Sequence, residues 1–355
     1  MKKILFLPTP SSINYNWNFG SMLGLMLVSQ ILTGFFLSMF FYSSMSLAFE
    51  SVVHIMNDVN HGWMIRFMHS TGASVFFILC YLHIGKAMFY NSFYLYKVWI
   101  SGVLIFFILM ATAFLGYVLP WGQMSLWGAT VITNLISVIP FIGSLMVEWI
   151  WGGFNVSSPT LSRFYSFHFI LPFTLLLIVF THLLFLHETG SSNPLGLSLN
   201  LDKINFKNYF IIKDLLTIIL LISFLLLLSL LSPFYFTDSE NFIKANFMVT
   251  PLHIQPEWYF LFAYCVLRAI PNKLGGVIML LLSILVIFTF SFFMNKKIKT
   301  FRFELSKIYL ILFLWMIFFM LTWLGMKPVE SPFTELSKYY TMVYFTIYLF
   351  MIINY

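Results

Sequence analysis

Four histidines lie where histidine is rare, inside long apolar stretches, and they are spaced alike. His69 and His83 fall within 63–90, His168 and His182 within 160–189, and each pair is 14 residues apart. Fourteen residues of helix return to within ~40° of the starting direction and climb ~21 Å. Each helix therefore presents two imidazoles on one face at two depths. Two such helices set side by side offer two bis-imidazole sites, one toward each face of a bilayer. Haem fits such sites best, and iron with both axial positions taken is suited to electron transfer rather than oxygen binding. A single intramembrane histidine is as well read as a hydrogen-bonded interior residue, but two equal intervals on two separate stretches are harder to meet by accident. Spacing alone does not name the metal.

The glycines repeat the interval. Gly20 and Gly34 are 14 apart on one stretch, Gly102 and Gly116 on another. Glycine lets a flat macrocycle approach the backbone. Any one of them is also explained by ordinary small-residue helix packing.

The elements that must carry these residues are membrane helices. Hydrophobic residues make up 60% of the 355, charged residues 9%, and mean hydropathy is +0.91. Soluble domains carry ~25% charge. Eight apolar stretches reach the ~20 residues that cross a bilayer: 19–42, 63–90, 99–119, 160–189, 212–232, 275–294, 305–326 and 334–353. The expected fold is an all-α integral membrane protein of eight transmembrane helices. One bundle or two packed bundles are both open; with the histidine spans in one, the first four would form a bundle around two stacked haems within 1–200, and the last four a C-terminal domain over 201–355. Pro172 takes away the N–H that would bond to His168 and predicts a kink beside it.

Loop charge sets the orientation. With the N-terminus inside, twelve of the 19 basic residues lie on the inner side, Lys2, Lys3, Lys296 and Lys297 among them, and eight of the 12 acidic residues lie on the outer side. The basic excess is a topology signal, and nucleic acid need not be invoked. Spans two and four then run in the same direction, so His69 levels with His168 at the outer side and His83 with His182 at the inner. Cys80 and Cys265 lie in apolar runs and read as packed thiols, with no C-x-x-C-H for covalent haem. The opening MKKILFLPTP has no long apolar core before a small-residue cleavage site, so no cleaved signal is expected.

Seven segments then bear a resemblance: NFGSMLG (18–24), HGWMIRFMHSTGAS (61–74), TAFLGYVLPWGQMSLWGATVITNL (112–135), EWIWGGF (148–154), RFYSFHFILPF (163–173), HLLFLHETGSSNP (182–194) and PEWYFLFAY (256–264). From about Trp17 onward the chain resembles mitochondrial cytochrome b, the quinone- and haem-binding subunit of quinol–cytochrome c reductase (complex III).

The resemblance implies two non-covalent haem b groups, a low-potential one on His69 and His168 and a high-potential one on His83 and His182. Gly20, Gly34, Gly102 and Gly116 make room for them, and Arg66 and Lys86 meet propionates. It implies quinol oxidation at an outer site with Glu257 as proton acceptor, beside Gly128 and Tyr264 and walled by 121–134. It implies quinone reduction at an inner site drawn from Trp17, Asn18, Ser21, His187, Ser191, Lys213 and Asp214. His187 and Asp214 would deliver protons there. Ubiquinol and ubiquinone are the implied substrates. A Rieske-type iron–sulfur protein, a cytochrome c-type subunit and other complex III subunits are the implied partners, in a homodimeric complex. The implied location is the mitochondrial inner membrane, with both termini on the matrix side.

The chain departs from the family pattern in starting a turn-and-loop short and in having Lys86 and Ala87 where Arg and Gly are common. Lysine keeps the charge but loses the two-pronged geometry. His54, His61 and His253 fall in outer connections, with surface or hydrogen-bonding roles as the default. Arg163 is expected to snorkel to the interface. Two other functions fit the histidines without the resemblance: a two-haem transmembrane electron conduit without quinone chemistry, and a proton-coupled transporter whose histidines relay protons.

Overall fold

The computed structural model of this chain describes residues 6–198, 200–293 and 299–353. Lys2, Lys3, Lys296 and Lys297 of the charge pattern, and Met294 at the end of the expected sixth span, lie outside the described residues. Twelve α-helices are present among the described residues: α1 Phe19–Ser38, α2 Ala48–Asn57, α3 Gly62–Phe89, α4 Tyr96–Val118, α5 Gln123–Asn134, α6 Gly143–Trp151, α7 Ser158–Thr189, α8 Phe206–Leu231, α9 Leu261–Ala269, α10 Lys273–Phe293, α11 Leu305–Gly325 and α12 Phe333–Ile353. Eight are long and apolar enough to cross a membrane, namely α1, α3, α4, α7, α8, α10, α11 and α12. They coincide with the eight expected stretches, and the chain is a multi-pass helical membrane protein. The first ends at Ser38 rather than 42.

The short helices were not read from sequence. α2, α5, α6 and α9 are too short to span and occupy the connections between spans. Among the described residues the sole sheet is a two-stranded clip, β1 (Pro8–Pro10) against β2 (Lys203–Asn205), antiparallel. It ties the start of the chain to the connection before α8.

Helix pairing decides where the histidines meet. α3 lies chiefly against α1, and α7 against α4. The two histidine helices thus belong to different pairs, and their imidazoles meet across the gap between pairs. This corrects the side-by-side arrangement expected from spacing. α8 lies against α3 and α1, whereas α10, α11 and α12 gather around α9. The fifth span therefore sits with the first half of the chain in space.

Local sequence explains the ends of α7. Ser157 and Thr160 form a capping box, with Pro159 in the first turn. The helix runs through Pro172 without interruption, so the kink expected there does not break the element. α6 ends at Gly152, whose φ of 71° is left-handed. Arg163 donates to the carbonyls of Trp149 and Ile150 at that helix end. It caps α6.

Candidate functional site

The ring nitrogens carry the argument at three of the four histidines. Thr33 Oγ1 lies 2.8 Å from the Ser29 carbonyl and 2.9 Å from His69 Nδ1, so a hydroxyl proton spent on the carbonyl leaves its oxygen to accept from Nδ1. Ser101 Oγ likewise lies 2.8 Å from both the Lys97 carbonyl and His182 Nδ1, an arrangement in which it can accept from the ring. His168 Nδ1 lies 2.8 Å from the Thr112 carbonyl, a pure acceptor. The Thr112 carbonyl holds the His168 proton on Nδ1, leaving Nε2 for a metal, and the two hydroxyls allow the same tautomer at His69 and His182. His83 Nδ1 is buried without a partner among the described residues.

The rings of His69 and His168 lie 6.1 Å apart between centres, with planes at 88°. A metal–imidazole bond is ~2.0–2.1 Å and the ring centre lies ~1.1 Å beyond it, so two imidazoles on opposite sides of one metal have centres ~6.3 Å apart. The spacing fits an axial pair. His83 and His182 are near enough to act on each other electrostatically.

Each glycine of the 14-residue register faces one of these rings from the partner helix. A Cβ on Gly34 would stand 2.9 Å from His69 Cε1, one on Gly102 3.2 Å from His182 Cε1, and one on Gly20 3.8 Å from His83 Cε1. A Cβ on Gly116 would meet the His168 ring, with Nδ1 at 2.8 Å and Nε2 at 3.0 Å. The glycines of this register thus face the imidazoles of the neighbouring helix. Among the described residues no three His, Cys, Asp or Glu side chains converge on a bare ion. Imidazole pairs suit a macrocycle that brings its own four equatorial ligands.

A cavity of about 260 Å³ reaches His69 and His168 and is also lined by Gly34, Gly116, Arg66, Tyr117, Asp238 and Glu257. Arg66 Nη1 is buried in the protein with no partner among the described residues, a free donor for a carboxylate such as a propionate. These residues fit haem at the outer pair.

Glu257 opens the 3-10 turn Trp258–Phe260. Burial, and then the charge of Asp238, push its carboxyl up to about 8, against a hydrogen bond with Tyr117 that pulls it down. Tyr117 and Asp238 were not singled out from sequence. Asp238 shares the outer connection of Glu257, whereas Tyr117 sits at the end of the third span.

The other residues expected at the outer site are held apart from this cavity. Gly128 has open space where a Cβ would stand. The Tyr264 hydroxyl donates to the Ile254 carbonyl at 3.4 Å, and the Arg268 guanidinium lies 5.1 Å from its ring centre. Segment 121–134 is tied to the 238–249 connection through Ser125 N to Asn241 Oδ1 at 2.9 Å and Trp127 Nε1 to the Val249 carbonyl at 3.1 Å. Neither Gly128 nor Tyr264 lines the cavity. His253, expected at the surface or hydrogen-bonded, has its Nε2 buried without a partner among the described residues. His54 is exposed and pairs with Asp58 at 2.8 Å.

At the inner end, Ser21 Oγ lies 2.8 Å from Asp214 Oδ1 and Asn18 Nδ2 donates to Thr217 Oγ1 at 3.2 Å. Trp17 packs on Tyr90 at 4.8 Å, and Lys86 Nζ stands 4.1 Å above the Trp17 ring. Lys213 Nζ stands 4.5 Å from the Tyr209 ring centre. His187 and Ser191 lie at the end of α7, His187 exposed, outside this hydrogen-bonded set.

Eight apolar spans bring two pairs of imidazoles together. Residues 4–190 match the family described as Cytochrome b/b6/petB, and 244–345 the one described as Cytochrome b(C-terminal)/b6/petD. The chain belongs to the cytochrome b/b6 family. It is also similar to a solved chain titled "Hyperthermophilic respiratory Complex III", with a TM-score of 0.92 and 30% identity over 98% of this chain and 93% of that one.

Proposed function

We propose that this chain is the cytochrome b subunit of a quinol–cytochrome c oxidoreductase, oxidising quinol near Glu257 and reducing quinone at the inner end. The observation that carries the reading is the single cavity shared by His69, His168 and Glu257. It brings a proton acceptor and an electron-accepting ligand pair to one substrate space. A purely conducting pair of haems has no use for a buried carboxyl of raised pKa there.

His69 with His168 and His83 with His182 would hold haem b, which would supply one-electron carriage across the bilayer, and Arg66, with its unpartnered Nη1, would take a propionate of the outer group by a charge-assisted bond. Glu257 takes a proton from the quinol hydroxyl. Its pKa of about 8 lies near neutrality, where a base both stays partly ionised and pulls usefully on a proton. Tyr117 orients the carboxylate, and Asp238 repels it from staying charged without a proton. At the inner end Asn18, Ser21 and Asp214 bind the quinone, and His187, Lys213 and Asp214 bring protons. Lys86, held on Trp17, stands beside the inner pair.

The partners are a Rieske-type iron–sulfur protein and a cytochrome c-type subunit, in a homodimeric complex. The substrate pair is ubiquinol and ubiquinone. Both termini lie on the matrix side of the mitochondrial inner membrane, supported by the basic excess of the inner connections and by an even number of spans.

The test is Glu257→Gln in the assembled complex. Quinol oxidation falls at least ~10²-fold with both b bands intact in the reduced-minus-oxidised spectrum, as for loss of a general base. Unchanged turnover overturns the proton-acceptor role.

A further inference from the structure

α3 carries the two histidines on one face and something else on another. Ser74, Phe77 and Tyr81 follow at the intervals of one helical stripe, ~80–140° round the axis from His69. All three are buried, and all three grip the segment that carries Glu257. Trp258 Nε1 donates to Ser74 Oγ at 3.1 Å. The Phe77 ring stacks flat on Tyr259, with centres 4.0 Å apart and planes at 4°. The Tyr81 hydroxyl donates to the Tyr259 carbonyl at 2.6 Å. The grip passes to Glu257 through one turn, since Phe260 N donates to the Glu257 carbonyl at 2.9 Å.

We propose that Ser74, Phe77 and Tyr81 are positioning residues for Glu257, so that the helix bearing two ligand histidines also fixes the place and burial of the carboxyl. The inference rests on the proposed role of Glu257 for its functional meaning and on contacts alone for its geometry. A neutral tyrosine hydroxyl on a buried carbonyl fixes the backbone with little freedom, and a flat aromatic stack adds area with a defined orientation. The carboxyl is thereby held from two sides: its backbone on the α3 stripe and its side chain by Tyr117 of α4. The ionisable groups around it are Asp238 from the connection after α8, Tyr117 from α4 and Tyr259 from its own turn, with Arg66 of α3 on the same cavity wall.

The experiment reads the Glu257 carboxyl directly in the assembled complex, by the infrared carboxyl band that Glu257→Gln removes. Tyr81→Phe and Ser74→Ala each free one anchor and admit water. The band's titration midpoint moves about one pH unit to the acid side, and quinol oxidation falls about three- to tenfold. Both b bands stay unchanged, since no ligand is touched. Tyr344→Phe is the control. It deletes an equally buried hydroxyl that donates to the Ser283 carbonyl at 2.8 Å, and it leaves the midpoint in place.

Midpoints equal to wild type in both Tyr81→Phe and Ser74→Ala, or an equal shift in Tyr344→Phe, overturn the inference. Normal quinol oxidation in Glu257→Gln together with a shifted midpoint in Tyr81→Phe leaves the positioning standing and removes the proton-acceptor role.

Discussion

Replacing Gly116 by alanine tests the ring-admitting register most sharply. Its Cβ would meet the His168 imidazole, with Nδ1 at 2.8 Å. The ring cannot swing aside freely, because Nδ1 donates to the Thr112 carbonyl at 2.8 Å on the same helix as Gly116. Losing that buried bond costs ~1–3 kcal/mol. Overpacking the contact costs ~1–3 kcal/mol more, and the better helix propensity of alanine returns ~1 kcal/mol. The balance is about 1–5 kcal/mol against a correctly placed ligand, or ~5- to ~5000-fold in outer haem affinity.

The same substitution at the other glycines gives a graded series. Gly34→Ala stands 2.9 Å from His69, Gly102→Ala 3.2 Å from His182, and Gly20→Ala 3.8 Å from His83, which is ordinary contact. Gly24, also on α1, has nothing within 4 Å and serves as the control. The assay is the reduced-minus-oxidised spectrum of the purified complex with a potentiometric titration of each b band. Gly116→Ala loses or displaces the outer band and keeps the inner one, while Gly20→Ala and Gly24→Ala keep both. A Gly20→Ala as damaging as Gly116→Ala, or a Gly116→Ala with both bands at wild-type potentials, refutes the reasoning.

Thr33→Val and Ser101→Ala each remove the acceptor of one ligand's Nδ1–H. The imidazole becomes a weaker electron donor, so the outer and inner potentials respectively rise by ~40 mV, the one-electron equivalent of ~1 kcal/mol. A shift of both potentials in either variant contradicts the assignment. Quinol oxidation rises with pH through about 8 as Glu257 loses its proton, and Glu257→Gln flattens that limb. Stability runs the other way: with its folded pKa raised from 4.5 to about 8, Glu257 favours the fold below 4.5, and that favour is lost as the pH climbs to about 8. Glu257→Gln accordingly narrows the gap in Tm between pH 5 and pH 8.5. Ser21→Ala frees Asp214 from its 2.8 Å partner and raises the quinone KM at the inner end several-fold, about one hydrogen bond's worth. Quinol oxidation in that variant stays at the wild-type rate, and a loss there instead counts against an inner role.

What was legible in the sequence follows from what each signal encodes. Span count needs only length and apolarity, and all eight spans were readable. The level of His69 with His168 follows from two helices running the same way, and the 6.1 Å ring spacing agrees with it. The glycine register was legible as an interval but not as a partner. Periodicity along one helix cannot say which neighbour fills the gap, and the gap faced by Gly34 and Gly116 holds an imidazole. Tyr117 and Asp238 stayed hidden for a related reason. They come from α4 and from the connection after α8, and only the fold brings them to Glu257.

The α3 stripe was hidden most completely, because Ser74, Phe77 and Tyr81 read as ordinary core. A residue whose partner is a backbone carbonyl, as for Tyr81 on Tyr259, leaves no pattern in the partner's sequence. The ligands of a cofactor are constrained by residue type and so can be read ahead of the fold. Residues that hold a group in place are constrained by position, and in the proposed reading α3 supplies both kinds.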